Sequence, residues 1–233
     1  MQESKWRILN ANHLKLIAAA TMLLDHMGIL LFPYVLIFRI LGRLSFPIFA
    51  FMVAEGCHYT KNKWRHLGLI AGLGVICQVV YFLVSGSDRI NVLLTFSGSI
   101  LLIYALQTAY HGTTWKRKLL GAAAFGMGCL GFYALDQLLL IDYGFWGMMV
   151  PVFVAFARLQ KFPHWGMVLA LGVGMVLMSI GYIAIQNYAL LALPIMMLYS
   201  GKPGKRKMKY FFYIFYPAHL AALQGLAMLL AAL

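Results

Sequence analysis

Asp25 and His26 stand side by side inside an otherwise apolar run, HLKLIAAATMLLDHMGILLF from His13 to Phe32, and Lys15 lies eleven residues ahead of the histidine. An ionisable side chain at bilayer depth costs about 2.5–3.5 kcal/mol, so such groups face protein or water and point to a functional site. Eleven residues is close to three helical turns, which puts Lys15 and His26 on one helix face, about 16 Å apart along the axis. A neutral imidazole can take up a proton, as a general base must. A cation at one end and an imidazole near the middle suit the gripping of an anionic donor and chemistry at its far end. Lys15 fits equally well as a side chain that snorkels to the headgroups.

The chain has six acidic residues, Glu3, Asp25, Glu55, Asp88, Asp136 and Asp142. Asp25 comes seven residues before Phe32, and Arg43 seven after Leu36. In a tight antiparallel hairpin the two reach similar depth, which predicts an ion pair that either locks the hairpin or serves an active site. Arg39, one turn outward, is expected to reach the interface instead. Asp25 and His26 are adjacent, hence about 100° apart around the helix, so His26 must meet a different neighbour. Glu55 and His58 are expected to reach water, Asp142 to cap a helix, and Asp136 to cap or line the outer mouth.

A second polar concentration opens the last apolar run, KRKMKYFFYIFYPAHL. Lys205, Arg206, Lys207 and Lys209 crowd a helix N-terminus, where an anion is favoured, although such a cluster also serves as a plain cytoplasmic anchor. Pro217 frees the carbonyl of Tyr213 and predicts a kink. Phe212, Tyr216 and His219 fall on one face, with His219 about 15 Å in from the helix start.

These residues need a membrane to hold them. The 233 residues are 63% hydrophobic and only 11% charged, with mean hydropathy +0.82. That composition predicts an all-α, polytopic integral-membrane bundle forming a single domain over residues 1–233. The net charge of +13 lies in short clusters between apolar runs, a pattern of membrane orientation and not of nucleic-acid binding. Cys57, Cys77 and Cys129 lack any paired spacing and read as small apolar residues, neither a disulfide frame nor a metal site. No cleavage-site pattern follows the first run, so it is expected to be retained.

About nine spans are expected: His13–Phe32, Leu36–His58, Leu67–Val84, Ile90–Tyr110, Leu119–Leu140, Asp142 to Arg158, His164–Tyr182, a short Asn187–Tyr199, and Tyr210–Leu233. The eighth is short enough to be re-entrant. Basic residues gather at the N-terminus and in the links after spans two, four, six and eight, whereas the opposite links hold only Arg89. The N-terminus is therefore expected in the cytoplasm.

With His26, GRLSFPIFAFMVAEG at 42–56, DYG at 142–144 and KYFFYIFYPAHL at 209–220, the chain resembles the TraX family, the acetylases of pilin subunits. The Lys15-x10-His26 spacing is similar to the Arg-x10-His signature of wider transmembrane acyltransferases, which include the heparan glucosamine acetyltransferases. The resemblance implies an enzyme of the plasma (inner) membrane that takes an acetyl group from cytoplasmic acetyl-CoA. It implies His26 as catalytic base or transient acetyl carrier, with Arg43 and His219 carried over by position. Lys15 stands where those relatives keep arginine, retaining the charge but not the bidentate geometry.

The resulting expectation joins Asp25, His26, Arg43 and His219 as catalytic residues. Lys15, Lys205, Arg206, Lys209, Tyr213 and Tyr216 are the expected acetyl-CoA contacts, without a metal. The acceptor stays open among a protein N-terminus, a surface glycan and a small molecule. A small proton-coupled transporter using Asp25, His26 and Arg43 is the competing reading; its mark, broken helices in matching positions of two halves, is missing from the sequence.

Overall fold

The computed structural model describes residues 6–86, 88–180, 184–204 and 208–231, with the side chains of residues 84, 85, 209, 210, 213 and 231 outside the description. The described residues form a series of helices: α1 (Ala11–Leu30), α2 (Leu36–Gly42), α3 (Ser45–Tyr59), α4 (Lys63–Ser85), α5 (Val92–His111), α6 (Trp115–Leu138), α7 (Gly144–Leu159) and α8 (His164–Ser179). A 3-10 segment, Ala184–Leu191, leads into α9 (Ala192–Met197), and α10 (Lys209–Ala231) closes the chain. No strand occurs among the described residues, only two isolated bridges, Leu9 with Tyr199 and Ile90 with Ile141.

The described residues of each of the nine expected stretches are largely helical. Among the described residues, five segments are long and apolar enough to cross a membrane: Ala11–Leu30, Leu36–Tyr59, Lys63–Leu83, Val92–His111 and Trp115–Leu138. Gly144–Leu159, His164–Ser179, Ala184–Met197 and Ile214–Leu230 are apolar but shorter. The chain is a membrane protein on this ground, and its surface agrees. Trp64, Trp115 and Trp165 are 78%, 69% and 60% exposed at the starts of α4, α6 and α8, beside the basic links, as an interfacial aromatic belt requires.

Helices α4 and α6 begin earlier than hydropathy alone places them. Asn62 and Thr114 cap α4 and α6, accepting from the backbone N–H of Arg65 and Arg117. A cap marks where the helix starts, whereas hydropathy marks only where hydrocarbon starts, so the first turns extend into the interface. Two prolines set the breaks. Pro47 has no N–H to offer the carbonyl of Arg43, and the second span is split there into α2 and α3. Pro194 likewise leaves the carbonyl of Leu190 unserved, where the 3-10 segment gives way to the short α9. Pro217, by contrast, lies inside a continuous α10.

The core is shared by α3, α5, α7, α8 and the start of α1, with Phe51, Ile48, Ile100, Leu171 and Met175 fully buried. Helix α6 packs on the outside, and Gly121 is its one buried residue among those described. Helix α10 lies against α1 and α4, forming a wall over the cavities described next.

Candidate active site

The break after α2 brings Arg43 to the middle of the bundle, opposite the second half of α1. Gly42 makes the approach possible: a Cβ there would lie 2.4 Å from the Cβ of Asp25 and 2.7 Å from its Cα. The expected ion pair forms. Arg43 Nη2 donates to both carboxylate oxygens of Asp25, at 2.7 and 2.5 Å. Arg39 does not leave for the interface; its Nη1 donates to Asp25 Oδ1 at 2.8 Å. Residues 39 and 43 are one turn apart on the same face, and a carboxylate has acceptor sites for both. On its other side Arg43 Nη1 donates to Gln186 Oε1 at 3.0 Å. Gln186 comes from the 3-10 segment, and its place here was not foreseen. The adjacent amides Gln186 and Asn187 in an apolar stretch are the only signal in the sequence.

His26 points elsewhere, as its position next to Asp25 requires, and its partner is His219. Nδ1 of His26 lies 2.9 Å from the carbonyl of Met22 and 3.2 Å from Nε2 of His219. Nδ1 of His219 is 2.7 Å from the carbonyl of Phe215. Carbonyls accept only, so both rings carry their proton on Nδ1, and the His26 N–H is shared between Met22 O and the lone pair of His219 Nε2. Nε2 of His26 is left with a lone pair and without a partner among the described hydrogen bonds. His219 is buried and stacks on Phe215 at 4.8 Å, so its ring is held from both sides.

Two cavities reach this point from opposite ends of α1. The first, about 580 Å³, is lined by His26, Asp25, Arg39 and Arg43 together with Arg89, Asp142, Tyr143 and Gln186. The second, about 850 Å³, starts at Asn12, Lys61 and Arg65 and runs past Lys15 along an apolar shaft that includes Leu73 and Phe215. Met22, Phe49, Val92, Phe96 and Tyr216 line both. A thin partition of side chains therefore separates a polar cavity from a long apolar one, and His26 lies on the polar side of it.

Of the expected donor contacts, Lys15 and Tyr216 line the second cavity. Lys15 is directed over the Phe212 ring at 6.0 Å. Lys205 and Arg206 lie outside the described residues, as do the side chains of Lys209 and Tyr213. Asp142 does not cap α7. Tyr143 occupies the cap position with φ 62°, and Asp142 lines the first cavity instead. The cap comes from Asp136, whose Oδ2 accepts the Phe145 N–H at 2.9 Å. Glu55 does not reach water either. It is 3% exposed, paired with Arg158 of α7 and 3.3 Å from the Tyr199 hydroxyl.

The chain is 26% identical over 249 residues to a protein of Dichelobacter nodosus described as a probable fimbrial assembly protein FimC of serogroup H1, covering 95% of this chain and 97% of that one. It is 39% identical over 66 residues to an uncharacterised protein of Rickettsia prowazekii (strain Madrid E), covering 28% of this chain and 25% of that one. No solved structure matches. The family model described as TraX protein matches residues 10–227, and the chain belongs to the TraX family.

Proposed function

We propose that the protein is a membrane-bound acetyltransferase that moves the acetyl group of acetyl-CoA to an amine or hydroxyl acceptor. The observation that carries this reading is the unshared Nε2 lone pair of His26, on a ring that lines one cavity beside a partition from a second. The basic links favour the cytoplasm for the Lys61 end of the bundle, where acetyl-CoA is found. Its phosphates would meet Lys15, and its arm would run down the apolar shaft to the partition. A pantetheine arm of ~15–20 Å matches the ~16 Å helical rise from Lys15 to His26. The acceptor would enter by the polar cavity.

The chemistry then follows from the ring's hydrogen bonds. His26 Nε2 takes the proton of the acceptor N–H or O–H as the nitrogen or oxygen attacks the thioester carbon. The positive charge that forms on the ring is stabilised by the N–H shared with Met22 O and His219 Nε2. The tetrahedral intermediate expels the CoA thiolate, which takes the proton back from Nε2. The products are an acetylated acceptor and CoA thiol. Tyr216, on the partition, is placed to donate to the carbonyl oxygen as it gains charge. Asp25, Arg39 and Arg43 hold α1 against the α2–α3 break and keep the ring in line. The name of the D. nodosus relative, a probable fimbrial assembly protein, favours a protein acceptor over a glycan or a small molecule.

The transporter reading is disfavoured by the same cluster. Both oxygens of Asp25 are already taken by two guanidiniums, which leaves that carboxylate no unshared oxygen to pass a proton along. Protein reconstituted in nanodiscs with acetyl-labelled acetyl-CoA tests the proposal. Label should pass to an amine- or hydroxyl-bearing acceptor with an equal amount of free CoA thiol. Absence of both CoA binding and CoA release, with proton flux in liposomes, would establish the rival.

A further inference from the structure

The long cavity has a charge pattern that its own lining does not balance. Lys15, Lys61 and Arg65 line it, and no aspartate or glutamate does among the described residues. Lys15 has an aromatic face for a neighbour and no carboxylate partner among the described ion pairs. Like charges gathered at one mouth draw in anions, and the low-dielectric walls below them strengthen the field. Beyond the mouth the lining turns apolar, with Met52, Leu69, Ile70 and Leu73. The cavity is thus built for a ligand that is anionic at one end and slender and weakly polar along the rest.

We infer that Lys61 and Arg65 are the phosphate-binding element of this cavity, on a different wall from Lys15. Lys61 belongs to the α3–α4 link and Arg65 to the first turn of α4. The Asn62 side chain accepts the Arg65 N–H at 2.9 Å, which fixes the two cations on one rigid turn. Arg65 offers a planar fork to a phosphate, and Lys61 a point charge beside it. The opposite edge of the mouth is close-fitting: a Cβ on Gly204 would come within 2.1 Å of the Asn12 side chain. The ligand chemistry is a phosphate group joined to a thin arm, which an acyl-CoA and an anionic phospholipid share.

This inference rests on the donor reading above for its acyl-CoA form but not for the site itself. The test compares wild type with the double variant Lys61→Ala/Arg65→Ala. Both residues are exposed, so the variant is expected to fold, and its melting curve without ligand checks this. Binding of CoA and of adenosine 3′,5′-bisphosphate is measured by thermal shift in detergent. Stabilisation by phosphatidylglycerol is measured in nanodiscs against phosphatidylcholine alone. The expected result is binding of both nucleotides by wild type and affinity at least about tenfold weaker in the double variant, partly restored by Arg65→Lys with Lys61 intact. Stabilisation by phosphatidylglycerol alone, lost in the variant, keeps the site, assigns it to lipid and removes the donor reading. Nucleotide binding unchanged in the variant overturns the inference while the donor reading stands. Binding of neither class by wild type overturns both.

Discussion

Asp25→Asn is the perturbation that separates a buried charge network from an ornament of the surface. The Asp25 side chain is 13% exposed, that of Arg43 10% and that of Arg39 25%. Removing the carboxylate charge leaves Arg43 with neutral acceptors, an amide oxygen at position 25 and Gln186 Oε1, in place of its described ion-pair partner. A buried guanidinium stranded in this way costs about 3–5 kcal/mol. Arg39 is a quarter exposed and can turn toward water, so Arg39→Gln alone is expected to cost only about 1 kcal/mol or less. The double variant Asp25→Asn/Arg43→Met removes the stranded charge with its partner, and it should be more stable than Asp25→Asn by at least about 2 kcal/mol. Reversible unfolding in mixed micelles, titrated with denaturing detergent, gives the four free energies of the cycle. An Asp25→Asn protein within about 1 kcal/mol of wild type, or a double variant whose loss equals the sum of the singles, would refute the reasoning.

Three further outcomes follow from the same geometry. His219→Ala removes the lone pair that accepts the His26 N–H at 3.2 Å; turnover should fall about 10–100-fold with little change in KM for the donor, and His219→Gln, which keeps an acceptor, should recover part of it in steady-state kinetics. Gly42→Ala drives a methyl into Asp25, 2.7 Å from its Cα, so α1 must shift; a loss of about 1–3 kcal/mol in the same unfolding titration, with loss of activity, is expected. Orientation is checked with single cysteines: Asp88→Cys should react with a membrane-impermeant thiol reagent in whole cells and Thr113→Cys only after lysis, and the reverse pattern would invert the donor side.

The parts of the site that carry charge in apolar sequence were readable in advance. Asp25, His26 and Arg43 are conspicuous because hydrocarbon penalises them, and the hairpin depth of residues 25 and 43 was enough to pair them. The same reasoning failed where charge lay near a span end. A position near a span end predicts water for Arg39 and Glu55, but one is drawn in by the second acceptor site of the Asp25 carboxylate and the other by Arg158 on α7, 103 residues along the chain. Distance along a helix gives depth; it does not say which neighbour covers the surface. Gln186 carried no charge and so no warning. Lys61 and Arg65 were legible only as topology markers, because orientation and ligand binding use the same side chains at the same interface. The meeting of His26 with His219 depends on how α10 packs against α1, which the face of either helix alone does not specify.

The central claim is that His26 Nε2 is the proton acceptor in acetyl transfer. The most direct test is single-turnover transfer from acetyl-labelled acetyl-CoA in nanodiscs by wild type and His26→Ala, at matched CoA occupancy and matched thermal stability. The account predicts CoA binding unchanged and transfer reduced at least about 100-fold. Transfer at the wild-type rate in His26→Ala would contradict it.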